Sequence, residues 1–146
     1  GEVASRSEEY AAVYDTLPIC KFIRRCFTGK ADRAGAWPSI AKLINATTGW
    51  NFGYDDVDMI GVRAHTLKKA FNIREGWTEK DDDLPYRWKN EPMTKGPSAG
   101  HVVTEEELSY LKKIYYKAKG WTEEGLIPKK VLIDLGMDDI AEEIGV

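Results

Sequence analysis

Chemistry in this chain of 146 residues would have to come from few side chains: Cys20, Cys26, His65, His101 and the acidic run Asp81-Asp82-Asp83. Cys20 and Cys26 stand six apart on what reads as one helix, a spacing that suits neither a metal knuckle nor a redox pair. Two cysteines alone cannot hold an iron–sulfur cluster, which takes four ligands. Read in isolation, each is expected to be a buried core thiol, with a ligand role as the alternative. His65 falls in mid-helix and His101 in a loop, and neither has a carboxylate close enough in sequence to make a zinc site or an acid–base pair. The aspartate run could attract a hard cation, but no EF-hand spacing follows it. A Gly-rich phosphate loop, a nucleophile elbow and a Cys-x-x-Cys pair are all missing. The lysine pairs at 68-69, 112-113 and 129-130 sit among acidic residues, so they read as solvated helix faces rather than a nucleic-acid surface.

The elements that must position these groups are helical. With 42% hydrophobic and 31% charged residues the chain can build a core, and its length fits one ordinary domain. A net charge of -3 gives no general attraction to nucleic acid or to anionic lipid. No apolar run approaches the ~20 residues of a membrane span. The opening GEVASRSEEY has neither the basic start nor the apolar core of a secretory signal, so a cytoplasmic, reducing location is expected.

Ser5 with Glu8 suggests a capping box for a short first helix with Tyr10, Ala11, Val13 and Tyr14 on its buried side. Pro18 fits the first turn of a second, very apolar helix carrying Ile19, Cys20, Phe22, Ile23, Cys26 and Phe27. An apolar patch or self-association into a homo-oligomer is expected around Ile19, Phe22, Ile23 and Phe27. A third helix runs from about Trp37 and Pro38 to Gly49. A fourth starts at Asp55 or Asp56, with Val57, Ile60, Ala64, Leu67 and Phe71 as its buried stripe and Lys68 and Lys69 outside it. Thr104 with Glu107 caps a fifth, whose buried face would be Leu108, Leu111, Tyr115 and Ala118. Pro128 opens a sixth, and Asp138 or Asp139 a short last one. The chain is expected to be all-α, an irregular multi-helix domain with one long extended loop over about 76–102. In that loop Leu84, Tyr86 and Trp88 alternate as if one side of a strand lay on a neighbouring surface.

Gly49-Trp50, Gly76-Trp77 and Gly120-Trp121 repeat one signal for a helix end: glycine takes the left-handed conformation, and the apolar residue after it folds back on the last turn. The expected contacts are Trp50 on Ile44, Trp77 on Phe71, and Trp121 on Tyr115 or Tyr116. Capping accounts for both residues of each pair without an aromatic ligand cage.

The stretch Asp15-Thr16-Leu17-Pro18-Ile19-Cys20-Lys21-Phe22 resembles a motif of the tungsten-containing aldehyde:ferredoxin oxidoreductase family, D-x-x-G-L-C followed by K-F. The likeness continues in LINATTGW (43–50), FNIREGWTEKDDDLP (71–85) and YYKAKGWTEEGLIPKKVLIDLGM (115–137), in the same order and at fitting intervals. The resemblance implies the C-terminal segment of a longer oxidoreductase, a single helical domain over 1–146 whose N-terminal domains of the same chain are missing here. It implies a tungsten (or molybdenum) bis-pterin cofactor that oxidises aldehydes to carboxylic acids, and a [4Fe-4S] cluster that passes electrons to ferredoxin.

Carried over by position, Cys20 is implied as the fourth cluster ligand, its companions coming from an upstream C-x-x-C-x-x-x-C motif. Asp15 is implied as the carboxylate that accepts hydrogen bonds from a pterin's amino groups, with Ile19 as a weaker pterin neighbour. No complete cofactor is expected in these 146 residues alone, and no catalytic residue is assigned to them. The family's acid–base residues lie upstream, so neither His65 nor His101 inherits that role. Pro18 stands where the family has glycine, which excludes a positive φ at that point. Asn72, Arg74 and Glu75 match the most recognisable string and read as structural. Two alternatives stand beside this reading: a helical interaction module that has lost the cofactor, or a relative acting on an aromatic acyl thioester.

Overall fold

The structure, a computed structural model, describes residues 1–20, 22 and 33–146, and every regular element among them is helical. In chain order these are α1 (Glu2–Thr16), α2 (Arg33–Thr48), α3 (Tyr54–Arg74), α4 (Tyr86–Asn90), α5 (Glu105–Lys119), α6 (Lys129–Asp134) and α7 (Asp138–Glu143). They form two compact units, Val3–Lys69 and Ala70–Val146 with the first two residues, and the division falls inside α3. No described helix is long and apolar enough to cross a membrane.

The core of the first unit gathers Val13, Tyr14, Ala36, Trp37, Ile40, Ala41, Ile44 and Val57. Trp37 is its centre: it is fully buried, stacks on Tyr10 at 5.0 Å, and donates its Nε1–H to Asp58 at 2.9 Å. This explains why α2 begins earlier than Pro38 suggests, at Arg33, with the proline inside the helix. Burying an indole of roughly 200 Å² contributes up to about 5 kcal/mol. That exceeds the ~3 kcal/mol a proline costs a helix interior.

α1 also starts earlier than its sequence suggests. Ser5 lies buried inside the helix and donates to Glu9 Oε1 at 3.2 Å, so the Ser5–Glu8 capping box does not form. Gly61 brings α3 against α1: a Cβ there would run into the Glu9 carbonyl oxygen and meet Val13 Cγ2 at 3.0 Å. The turn between α2 and α3 is closed by Asn45, which donates to the Phe52 carbonyl at 2.9 Å and accepts from the Phe52 N–H at 2.7 Å. Trp50 stacks on Phe52 at 5.0 Å.

The expected stripe on α3 holds for its first half only. Val57 is buried and Ile60 packs on the first core, but Leu67 and Phe71 are 45% and 53% exposed while Thr66, Lys69 and Ala70 are buried. Val57 belongs to one core and Ala70 to the other, and a helix that serves two cores keeps no single apolar stripe.

The second core gathers Ala70, Tyr116, Trp121, Ile127, Leu132, Met137 and Ala141. The Thr104 capping box forms as expected, with the Glu107 N–H donating to Thr104 Oγ1 at 3.2 Å and the Thr104 N–H to Glu107 Oε2 at 2.9 Å. At the other end Gly120 is left-handed (φ 70°), the Trp121 N–H reaches the Tyr116 carbonyl at 2.9 Å, and the indole packs on Tyr115 and Tyr116. Gly49 and Gly76 likewise have positive φ, as the Gly-Trp pairs require. The inner face of α5 is rotated from expectation: Leu108 and Tyr116 are buried, whereas Leu111 and Ala118 are exposed. The segment 76–102 holds no strand; Tyr86 and Trp88 sit on the short helix α4 and are exposed.

Candidate functional site

The last turn of α1 carries the residues singled out by the motif. Thr16 Oγ1 donates to the Ala12 and Val13 carbonyls at 3.1 and 3.0 Å, and the Leu17 N–H to the Val13 carbonyl at 3.2 Å, which closes the helix. The Ile19 N–H then donates to the Leu17 carbonyl at 2.6 Å across Pro18, a three-residue γ-turn. Pro18 therefore opens no helix within the described residues; it sits at the centre of this turn. Leu17 and Ile19 pack against the first core, while Asp15 and Cys20 are exposed. The alternation is what fixes the site: two apolar anchors hold a turn that presents a carboxylate at one end and a thiol at the other.

Cys20 is thus no core thiol. Phe22 is 93% exposed, and Ile23, Cys26 and Phe27 lie outside the described residues. Among the described residues no three His, Cys, Asp or Glu side chains converge as a metal site. The donor set still fits a cluster held jointly with other cysteines, because one exposed thiol on an anchored turn is what a single contributing ligand requires.

The aspartate run is structural, and each carboxylate has its own partners. Asp81 Oδ2 accepts from the Thr78 N–H and hydroxyl, both at 2.8 Å, and these bonds hold its carboxyl below the usual range. Asp82 accepts from Trp77 Nε1 at 2.8 Å and from the Tyr116 hydroxyl at 2.6 Å. Asp83 takes the Lys89 ammonium at 2.7 Å, which lowers its pKa and raises that of Lys89. Lys112 reaches the Glu79 carbonyl and carboxylate, both at 3.0 Å. Loop 78–83 therefore supplies acceptors to Lys112 and Tyr116 on α5, which is why a lysine and a tyrosine can occupy its inner face.

Arg74 and Glu75 are structural as well. The guanidinium pairs with Glu75 at 3.0 Å and with Glu143 of α7 at 2.5 Å, and covers the Phe71 ring at 4.8 Å. The two hydrogen bonds, Glu143's first, push the Arg74 pKa up. His65 does acquire a carboxylate that local sequence did not offer: its Nε2 lies 3.2 Å from Glu8 Oε2. His101 lies 3.6 Å from Glu107 and lines an open cavity of about 500 Å³ beside Trp88 and Met93.

Sequence reasoning passed over Leu17 and Thr16, which lock the turn, and Gly61. The signal for Gly61 was present, since a glycine in a helix interior costs about 1 kcal/mol relative to alanine and usually marks a close approach.

Residues 1–137 match the family described as aldehyde ferredoxin oxidoreductase, domains 2 and 3. The chain is 44% identical over 131 residues to the tungsten-containing aldehyde ferredoxin oxidoreductase of Pyrococcus furiosus, covering 89% of this chain and 20% of that protein. It is 38% identical over 133 residues to the protein of the same name from Pyrococcus horikoshii, covering 90% of this chain and 20% of that protein. A second Pyrococcus furiosus protein, the aliphatic sulfonate oxidoreductase WOR-like subunit, is 30% identical over 142 residues, 91% of this chain and 21% of its own length. The chain spans about a fifth of the length of these curated relatives. With the motif turn, the helical architecture and a match that runs through nearly all of its residues, the chain belongs to the aldehyde ferredoxin oxidoreductase family.

Proposed function

We propose that residues 1–146, which form two compact helical units rather than the single domain expected from the sequence, are the C-terminal segment of a tungsten-pterin aldehyde:ferredoxin oxidoreductase. Bound in the whole protein, the cofactors supply oxidation of an aldehyde to a carboxylic acid and a [4Fe-4S] route for electrons to ferredoxin. This chain's own part is narrower. Cys20 contributes one thiolate to the cluster. Asp15 accepts hydrogen bonds from the amino edge of a pterin, and Ile19 borders the same group. The observation that carries the reading is the anchored turn, which exposes Asp15 and Cys20 five residues apart while Leu17 and Ile19 hold it on the core. A cytoplasmic setting suits it, because an exposed thiol stays reduced and available to iron there. A substrate other than an aldehyde is the second reading, favoured by the similarity to a protein named aliphatic sulfonate oxidoreductase, WOR-like subunit.

The test is Cys20→Ser in the longer polypeptide. A hydroxyl is a poorer iron ligand than a thiolate. Iron and sulfide content should fall, the cluster's electron paramagnetic resonance signal should weaken or vanish, and reduction of ferredoxin should drop by orders of magnitude with the helix content retained. A full, electron-transferring cluster in this variant refutes the ligand assignment.

A further inference from the structure

None of the described residues from 71 to 107 is buried, and the second core draws its side chains from Ala70 and Ile73 and then from Tyr115 onward. Residues 84–103 nevertheless have an order of their own. The Val103 N–H donates to the Trp88 carbonyl at 2.9 Å, the Met93 N–H to the His101 carbonyl at 3.1 Å and the Gly100 N–H to the Met93 carbonyl at 2.8 Å. These bonds draw the two ends of the segment after α4 together. Charge ties the segment to the rest of its unit. The Lys89 ammonium, on a side chain 19% exposed, reaches Asp83 before the segment at 2.7 Å and Glu105 in the first turn of α5 at 3.2 Å. His101 faces Glu107 at 3.6 Å. We infer that residues 84–103 form a strap that opens and closes as a unit of its own, with Lys89 as its latch, while the second core stays folded. The inference goes beyond the cofactor reading and does not draw on it.

The physical argument is a comparison of what each opening forfeits. Amides in α5 and α6 stand beside buried Tyr116 and Leu132, and exposing them takes apolar area out of the core. The strap buries no side chain, so its opening forfeits backbone bonds and ion pairs and little apolar area. Part-exposed ion pairs are weak singly and weaken further with salt. Lys89 holds more than a single pair because one ammonium joins the carboxylate before the strap to the carboxylate after it. The strap carries Tyr86, Trp88 and Met93, all exposed, and Trp88, Met93 and His101 line the cavity of about 500 Å³. Opening therefore dissolves that cavity and changes the apolar surface the second unit presents, with ionic strength as the lever.

The experiment is hydrogen exchange of the longer polypeptide, read by mass spectrometry on peptides from 84–103, α5 and α6. Strap peptides should exchange about ten-fold or more faster than α5 peptides, and their rate should rise only shallowly with sub-denaturing urea. Lys89→Gln should speed the strap about three- to ten-fold and leave α5 and α6 unchanged. Raising salt to about 0.5 M should speed the wild-type strap in the same direction and add less to the variant. Lys89→Arg keeps the charge and should restore most of the protection. Strap and α5 peptides exchanging at one rate with one urea slope overturn the inference, since the segment then opens only with the core. Wild-type strap exchange in Lys89→Gln, or equal acceleration of strap and α5, overturns it as well, because Lys89 would then be no latch.

Discussion

Replacing Asp82 with alanine removes the acceptor of the Trp77 indole N–H and that of the Tyr116 hydroxyl. The two bonds are unequal. Tyr116 is only 2% exposed, and its hydroxyl donates to Asp82 Oδ2 at 2.6 Å, so the phenol loses a charged acceptor in a place water does not readily reach. A hydrogen bond to a charged group contributes about 1.5–3 kcal/mol. Trp77 is 42% exposed, and water can replace Asp82 at its Nε1–H, so that bond adds only about 0.5–1 kcal/mol. Asp82→Ala should therefore destabilise the second unit by about 2–4 kcal/mol. Tyr116→Phe removes the same short bond from the other side but leaves a half-buried carboxylate that water can still solvate. It should cost about 0.5–1.5 kcal/mol. The assay is urea unfolding of the 146-residue chain, with hydrogen exchange of the α5 amides reporting on the unit concerned. If Tyr116→Phe costs as much as Asp82→Ala or more, the argument from the stranded phenol is wrong.

Other consequences follow from the same contacts. Burial first, and then the bond to Asp82, hold the Tyr116 phenol well above its ordinary pKa of 10.0, so above about pH 10 the unfolded chain has lost a proton that the folded chain keeps. Stability should fall with rising pH in that range, and Tyr116→Phe should flatten the fall in an alkaline unfolding series. Gly61→Ala adds a methyl that meets the Glu9 carbonyl and should lower stability by about 1–3 kcal/mol despite alanine's better helix propensity; thermal unfolding showing stabilisation would disprove the close approach. Thr104→Ala breaks the capping box and should cost about 1 kcal/mol, seen as faster exchange in the first turn of α5.

What was legible in the sequence was what local physics decides. The Thr104–Glu107 box and the left-handed glycines before Trp50, Trp77 and Trp121 each depend on residues a few positions apart, and each is found in place. The inner faces of α3 and α5 were not legible, for one reason in each case. Hydrophobic periodicity assumes that a helix turns one apolar stripe to one core, whereas α3 supplies Val57 to one core and Ala70 to another. It also assumes that polar residues face water. Lys112 and Tyr116 face inward because Glu79 and Asp82, more than thirty residues earlier, bring acceptors to them. The same blindness applies at the motif turn. The spacing of Asp15 and Cys20 could be matched to a family, but Pro18 looked like the first turn of a helix because that is where an isolated proline costs least. What decided otherwise was the pull of Leu17 and Ile19 onto a core most of whose members, from Ala36 to Val57, come later in the chain. Once both apolar residues are held there, the backbone between them must reverse within three residues, and proline already has the φ that such a reversal needs.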